Sequence, residues 1–171
     1  RAQRASKEGD FVAEIAPVTI KSRKGEQVVA TDETPFQLDI DKIPTLKPAF
    51  GKDGTVTAAS SSSISDGAAA IVLMSESAAK AAGLKPLARL VSYASHAQAP
   101  EWFTTAPAPS MQKALDRAGW KVAEVDLFEI NEAFACVAMA AMRDLGLRHD
   151  QVNLNGGACA MGHPVGATGA R

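Results

Sequence analysis

From residue 66 onward, short apolar runs alternate with helix-like stretches that stop at glycine. The runs that predict strands are residues 68–74, 87–94, 125–130 and 152–154, and the stretches that predict helices are Ser75–Ala82, Ser110–Ala118 and Glu132–Leu145. Each helix is followed by a glycine, which readily takes the left-handed conformation that ends a helix. Strands and helices that take turns at these lengths indicate βαβ units and a mostly parallel sheet. The sequence therefore predicts an α/β fold.

The first part of the chain lacks this alternation. Residues 1–8 suit a helix that ends at a glycine. Residues 11–21 and 27–31 are β-rich runs, which we expect to form a hairpin across residues 22–26. Residues 32–54 carry three prolines and two glycines, a composition typical of irregular chain.

Charge and composition argue against several classes of partner. Eighteen Lys and Arg nearly balance 19 Asp and Glu, so the net charge of -1 gives no field that would attract a nucleic acid. No apolar stretch approaches the ~20 residues of a membrane span. The two cysteines, Cys136 and Cys159, form neither a disulfide framework nor a metal-binding spacing. We therefore expect a soluble, cytoplasmic protein that binds no metal, nucleic acid or membrane.

Both ends of the sequence look like interruptions of longer elements. The first helix has no capping residue before Arg1, and only seven residues follow Pro164, which suits the first position of a last helix. A helix that short is not stable alone. We expect the chain to be an interior piece of a longer protein.

Asn131 stands where parallel sheets bind ligands, at the carboxyl end of a strand. It follows the predicted strand 125–130 and precedes the predicted helix Glu132–Leu145. Its side chain either caps that helix or faces a ligand.

His163 follows a glycine-rich turn, residues 155–162, and precedes Pro164 at the predicted start of the last helix. The helix dipole disfavours the imidazolium form there. A neutral imidazole could accept a proton as a base or donate to a developing oxyanion. The alternative is a surface histidine in a flexible loop.

The remaining reactive side chains favour structural interpretations. Cys159 precedes His163 by four residues, yet its alanine neighbours predict a packed thiol rather than a nucleophile. Three residues of the helix that follows Asn131 are expected in the core: Cys136, Met139 and Met142. Two histidines that belong to no motif are expected in exposed loops: His96 and His149.

A series of short strings runs through nearly the whole chain. In order, they are Lys47–Phe50, Gly54–Ala58, Ser65–Ala70, Asn131–Ala135, Asn155–Ala158 and Gly162–Arg171. Each string is unspecific alone, but their order and spacing are specific. On these residues the chain resembles the thiolase family, enzymes that form or cleave carbon–carbon bonds between acyl groups carried on coenzyme A.

The resemblance implies a role for each matching residue. His163 would activate a nucleophilic cysteine and help to bind the thioester oxygen, while Asn131 would hold a water in that oxyanion site. Ser62 and Ala58 would touch the pantetheine arm of coenzyme A. Three aromatic residues would line the apolar part of the pocket: Phe50, Phe103 and Phe134.

The implied activity is that of an acetyl-CoA C-acetyltransferase in fatty acid metabolism. A cysteine would be acylated, and then an acyl-CoA carbanion or free CoA would attack it. This reaction joins acetyl-CoA units or cleaves a 3-ketoacyl-CoA such as acetoacetyl-CoA. Coenzyme A thioesters would be the substrates, with no separate cofactor. The resemblance also implies a homodimer or homotetramer. An organellar matrix stays open as the location, because a targeting segment would precede Arg1.

The sequence departs from the thiolase pattern in two respects. The family's nucleophilic cysteine would precede Arg1 and its second reactive cysteine would follow Arg171, so we expect no turnover from this chain alone. Ser60 stands where the family usually has Asn, and residues 103–106 differ from the commoner Met-Gly-Thr-Gly. These substitutions concern acyl chain length more than reaction type.

The resemblance predicts a layered α/β/α fold that is incomplete in this chain. Residues 1–62 would be the end of a lid-like loop domain, and residues 63–84 a strand and helix of the first core domain. Residues 85–171 would be a truncated C-terminal core domain. The strand partners of residues 68–74 would then lie outside the sequence and leave apolar surface exposed.

Three other interpretations stay open. A degradative 3-ketoacyl-CoA thiolase would accept longer acyl chains. A catalytically silent CoA-binding or scaffold protein would keep the fold, although the presence of His163 and Asn131 favours an enzyme. A ketoacyl synthase would share the fold, but the string Asn131–Ala135 argues against it.

Overall fold

The computed structural model describes all residues from Arg1 to Arg171. The helices are α1 (Ala2–Glu8), α2 (Thr34–Gln37), α3 (Glu76–Ala81), α4 (Pro107–Ala118), α5 (Ala135–Leu145) and α6 (Ala158–Met161). The strands are β1 (Val18–Ser22) and β2 (Gly25–Val29), and 3-10 turns occupy Ile40–Thr45, Ala58–Ser60, Pro100–Thr105, Val122–Glu124 and His149–Gln151. None of the helices has both the length and the apolar character that crossing a membrane requires.

The core lies between the two longest helices and two extended segments. Its buried members come from α4, from α5 and from the extended segments: Ala108, Phe128, Ile130, Val137, Ala138, Ala141 and Val152. The Phe128 N–H donates to the Gln151 carbonyl at 2.8 Å, and the Asn153 N–H donates to the Phe128 carbonyl at 3.0 Å. The predicted strands 125–130 and 152–154 therefore meet in parallel, but only through the single bridge Phe128–Val152.

The predicted helix ends agree with the structure better than the predicted helix starts. The α4 and α5 helices end at Gly119 and Gly146, whose φ angles of 72° and 67° are left-handed. However, α4 begins at Pro107 rather than at Ser110, because proline suits the first turn of a helix. The Ser110 hydroxyl caps nothing and donates to the Ala94 carbonyl at 3.3 Å.

The hairpin forms with shorter strands than predicted. β1 pairs antiparallel with β2 from Val18–Val29 to Ser22–Gly25, so only residues 23–24 form the turn. Residues 11–14, predicted as part of the first strand, are in turns. The region 32–54, predicted to be irregular, contains α2 and one 3-10 turn.

The strands predicted at residues 68–74 and 87–94 are not formed in this chain. Neither segment belongs to a strand, and no backbone-to-backbone hydrogen bond joins either of them to another segment. The Val72 side chain, predicted to be buried, is 84% exposed. An apolar run is buried as a strand only where neighbouring strands and helices cover it, and no segment of this chain pairs with these two runs.

One face of α5 also differs from the prediction. Cys136 and Met139 are exposed rather than in the core, since they lie on the side of α5 opposite the buried Val137, Ala138 and Ala141. Met142 packs against the core, as predicted.

The two histidines outside the predicted site have different surroundings. His149 is exposed, as expected. His96 is half-buried instead, and its ring nitrogens lie 3.0 Å from Lys113 Nζ and 3.0 Å from Gln98 Oε1.

The last predicted helix is replaced by turns. Residues 165–170 form successive turns in which the N–H groups of Ala167 and Thr168 both donate to the Pro164 carbonyl. The regular helix in this part of the chain is α6, which lies within the predicted glycine-rich turn.

Candidate active site

The two residues predicted to carry the chemistry lie next to each other. Asn131 Nδ2 is 3.3 Å from His163 Nε2, although 32 residues separate them in sequence. Asn131 does not cap α5, because Phe134 occupies the N-cap position of that helix. The capping interpretation is therefore wrong, and the Asn131 amide is available to the site.

His163 is held at its backbone and at its ring. Its N–H donates to the Ser63 carbonyl at 2.9 Å, within a parallel bridge between Ile64 and His163. Because turns rather than a helix follow Pro164, the predicted helix-dipole argument does not apply. The ring is instead oriented by a hydrogen bond between Nδ1 and Thr168 Oγ1 at 2.9 Å.

The hydrogen bonds around the imidazole favour one tautomer. Thr168 Oγ1 donates its single proton to the Pro164 carbonyl at 3.1 Å, so it accepts from His163. Nδ1 therefore carries the ring proton, and the lone pair of Nε2 accepts from the Asn131 amide. A neutral imidazole with Nε2 unprotonated and facing a side-chain amide can act as a general base.

Thr168 is a site residue that the sequence analysis missed. The sequence signal was available, since Thr168 lies in the string Gly162–Arg171 one helical turn beyond Pro164. A hydroxyl at that spacing can reach back to a preceding side chain when the intervening residues form turns.

The three aromatic residues assigned to the pocket form one group. The Phe134 ring lies 6.1 Å from both Phe50 and Phe103, in edge-to-face arrangements. Phe134 is half-buried, whereas Phe50 and Phe103 present 71% and 51% of their surface to solvent. The group therefore forms an open apolar surface.

A cavity of about 340 Å³ borders this aromatic group at Phe103 and reaches Asn131. Phe103, Met111, Ile130 and Asn131 are among its lining residues. Glu129 also lines it, and partial burial together with the nearby charge of Glu132 raises the pKa of the Glu129 carboxyl.

The two residues predicted to contact coenzyme A have different surroundings. The Ser62 N–H and hydroxyl both donate to the Ala133 carbonyl at 3.1 Å, next to the antiparallel bridge Ser61–Phe134. Ser62 is thereby placed beside the aromatic group. Ala58 opens the 3-10 turn Ala58–Ser60, and its side chain is exposed.

Cys159 has the properties of a packed thiol. Its Sγ donates to the Glu132 carbonyl at 3.6 Å. Burial, reinforced by the charge of Glu132, raises the pKa of Cys159 to about 12. A thiol that stays protonated at neutral pH is a poor nucleophile, which supports the structural interpretation made from the sequence.

The fold and the site can now be compared with known proteins. Residues 84–171 match the family model for the thiolase C-terminal domain, and residues 1–77 match that for the thiolase N-terminal domain. These matches define the class: the chain belongs to the thiolase family. The predicted boundaries at residues 62 and 84 stay predictions.

Particular relatives are similar over the whole chain. It is 50% identical over 172 residues to the acetyl-CoA acetyltransferase of Paracoccus denitrificans, covering 100% of this chain and 44% of that protein. It is 52% identical to the probable acetyl-CoA acetyltransferase of Dictyostelium discoideum, of which it covers 42%. The chain thus spans less than half the length of these curated relatives.

Solved structures give the same result. The acetyl-CoA acetyltransferase of Bacillus anthracis matches with a TM-score of 0.94 and 45% identity, over 99% of this chain and 43% of that one. Human mitochondrial 3-ketoacyl-CoA thiolase matches with a TM-score of 0.88 and 39% identity, again over 99% and 43%. The predicted thiolase-like α/β fold is therefore confirmed.

Replacing Thr168 by valine tests the assigned tautomer, because valine has nearly the same shape but no hydroxyl. Without an acceptor at Nδ1, the His163 ring proton is expected to distribute over both nitrogens. The nitrogen-15 NMR shifts of Nδ1 and Nε2 in the full chain should then move toward each other. Thr168→Ser should keep the wild-type shifts, and unchanged shifts in Thr168→Val would show that another group holds Nδ1.

A thiol-specific reagent tests the state of Cys159. At about pH 8, we expect exposed Cys136 to react at least about tenfold faster than Cys159, whose thiol is protonated and half-buried. Peptide mapping of the modified chain measures both rates, with Cys136→Ser as the control. Equal rates would contradict the packed-thiol assignment.

The raised pKa of Cys159 also predicts a pH dependence of stability. Unfolded Cys159 ionises near 9.0, whereas the folded thiol stays protonated up to about 12, so alkali favours the unfolded chain. The stabilising contribution is complete below pH 9.0 and is lost as the pH rises from there toward 12. Denaturant unfolding should show a smaller alkaline loss in Cys159→Ala than in the wild type.

Proposed function

We propose that this chain supplies the general base and part of the oxyanion site of an acetyl-CoA acetyltransferase. The observation that carries the proposal is the 3.3 Å approach of His163 Nε2 to the Asn131 amide, while Thr168 Oγ1 engages Nδ1. The names of the relatives support the substrate class: acetyl-CoA, acetoacetyl-CoA and free CoA.

In the first half-reaction, His163 Nε2 removes the proton of a cysteine thiol, and the sulfur attacks the thioester carbonyl of an acyl-CoA. The carbonyl oxygen becomes negatively charged. Protonated His163 and a water on the Asn131 amide donate hydrogen bonds to it. The bond to the CoA sulfur then breaks, the sulfur takes up a proton, and an acyl-cysteine and free CoA result.

In the second half-reaction, a base removes a proton from the methyl group of acetyl-CoA, and the resulting carbanion attacks the acyl-cysteine. A carbon–carbon bond forms and the carbon–sulfur bond to the enzyme breaks. The thiolate recovers its proton, which gives acetoacetyl-CoA. The reverse sequence is cleavage of acetoacetyl-CoA by free CoA.

The acylated cysteine is neither of the two in this chain. The Cys159 thiol donates a hydrogen bond to the Glu132 main-chain carbonyl and stays protonated at neutral pH. Cys136 lies exposed on the outer face of α5. The nucleophile is therefore a cysteine that acts together with this chain rather than within it.

The aromatic group supports binding of the acyl and pantetheine portions. Phe50, Phe103 and Phe134 offer apolar surface beside Asn131, and Ser62 retains hydroxyl lone pairs for a polar group of the ligand. Ala58 contributes a small exposed side chain at the approach to this surface. The coenzyme A thioester is the substrate, and no separate cofactor takes part.

The assembly and the location are part of the proposal. Membership of the thiolase family supports self-association into a dimer or tetramer. Two free cysteines support a reducing compartment such as the cytoplasm, and fatty acid metabolism is the matching process.

The proposal is tested with a chimera in which this chain replaces the matching 172 residues of the Paracoccus denitrificans enzyme. The chimera should cleave acetoacetyl-CoA with free CoA. His163→Ala and Asn131→Ala should each lower kcat by roughly 10²- to 10³-fold, because each removes a group that acts on the charge formed during reaction. His149→Ala, which removes an exposed histidine, is the matched control and should change kcat little.

The 171-residue chain alone should show no cleavage of acetoacetyl-CoA, since neither of its cysteines is suited to be the nucleophile. An intact-mass spectrum of the assayed material excludes a longer polypeptide. Turnover by a chain of that mass would contradict the assignment of the nucleophile, and Cys159→Ser would then be the first variant to test.

A further inference from the structure

Asn153 is the one polar side chain among the buried residues, with 4% of its surface exposed. Its Oδ1 accepts from the Ile130 N–H at 2.8 Å, and its Nδ2 donates to the Ile130 carbonyl at 2.8 Å. The second Nδ2 proton goes to Glu132 Oε1 at 2.9 Å. The side chain thus binds the residues on both sides of Asn131.

Glu132 connects this arrangement to the segment that ends at His163. Its Oε2 accepts from the Cys159 N–H at 3.2 Å. Gly157 packs so closely on the same carboxylate that a side chain there would overlap it. One carboxylate therefore joins residues 131–134, which precede α5, to the segment that leads into His163, residues 154–163, which includes α6.

We propose that Asn153 and Glu132 are positioning residues that set the separation between the Asn131 amide and His163 Nε2. Asn131 is fixed between Ile130 and Glu132, both of which Asn153 holds. His163 follows Cys159 by four residues, and Glu132 holds the Cys159 N–H. Neither Asn153 nor Glu132 touches the reacting atoms, and the catalytic part of this proposal rests on the proposed function.

The hydrogen-bond pattern requires these two residue types. Asn153 uses one acceptor and two donors, which a carboxylate cannot provide. Glu132 accepts at both oxygens, which an amide cannot do. Asn153→Asp would remove both donors and place two carboxylates face to face. Glu132→Gln would direct an amide donor toward either Asn153 Nδ2 or the Cys159 N–H.

Combining the two substitutions restores compatibility. In Asn153→Asp/Glu132→Gln, the glutamine can donate to the aspartate and accept from the Cys159 N–H, with the same net charge as in the wild type. Only the hydrogen bond to the Ile130 carbonyl is lost. The double variant should therefore recover part of what each single variant loses, a coupling that independent structural defects would not produce.

The kinetic test uses the chimera with the Paracoccus denitrificans enzyme. Asn153→Asp should lower kcat by about tenfold or more while KM for acetoacetyl-CoA changes by less than about threefold, because transition-state contacts are lost and the binding surface is kept. The double variant should regain most of that kcat. Asn155→Asp is the matched control, since its Oδ1 only accepts from Arg4 at 2.8 Å and a carboxylate can do the same.

The second readout needs no activity. In the full chain labelled with nitrogen-15 histidine, Asn153→Asp should shift the His163 Nε2 resonance toward that of an imidazole without a donor. The Nδ1 resonance, held by Thr168, should stay in place. The double variant should return the Nε2 shift toward the wild-type value.

The outcomes separate the two proposals. An inactive unsubstituted chimera would count against the proposed function, and the Nε2 shift would then decide the positioning role alone. An unchanged Nε2 shift in Asn153→Asp would overturn the positioning role. So would an unchanged kcat in an active chimera, or a double variant that is worse than both single variants.

Discussion

The parallel pairing of residues 128–130 with residues 151–153 is the contact on which the rest of the site depends. The Phe128 main chain is hydrogen-bonded to the main chain of Gln151 and Asn153. At Asn153 the second segment then turns away from the first. The Asn153 side chain continues the ladder by bonding both polar groups of the Ile130 main chain. The buried N–H and carbonyl groups of Ile130 would otherwise lack hydrogen-bond partners, at a cost of roughly 1–3 kcal/mol per group.

The backbone conformation of Asn153 makes this continuation possible. Its φ of 49° is left-handed, a region that asparagine enters more readily than most side chains. The turn directs the chain away from the first strand while the side chain points back to it. Arg1 stabilises the other side of the same turn by donating to the Val152 carbonyl at 2.6 Å. The loop that carries His163 therefore begins from a point held on two sides.

Position along the chain was enough to select Asn131 and His163 as candidates. A residue after a strand and a residue after a glycine-rich turn are both expected at the ligand-binding edge of an α/β sheet, and the structure brings the two side chains together. Their catalytic roles stay predictions. Asn153 and Glu132 were missed because their importance lies in hydrogen bonds between segments far apart in sequence, which no local pattern records. Thr168 differs, since it lies only five residues from His163 and its hydroxyl was a local signal.

The errors in the fold have a related cause. Gly119 and Gly146 end helices through their own backbone preferences, so the sequence predicted those ends correctly. Burial of Cys136 or of residues 68–74 depends on what lies opposite them, which the periodicity of one segment does not specify.

The segment 91–99 shows a strand-like pattern of burial without belonging to a sheet. Its residues alternate between exposed and half-buried, as in a strand with one covered face. The cover is α4: the Ser92 hydroxyl donates to the Ala114 carbonyl at 2.6 Å, and the Arg117 guanidinium donates to the Tyr93 carbonyl at 2.5 Å. The Arg117 side chain thus satisfies a main-chain carbonyl of the segment that a neighbouring strand would otherwise bond. The apolar run that predicted a strand at residues 87–94 does not specify a pairing partner, and no other segment of this chain bonds to its main chain as a neighbouring strand would.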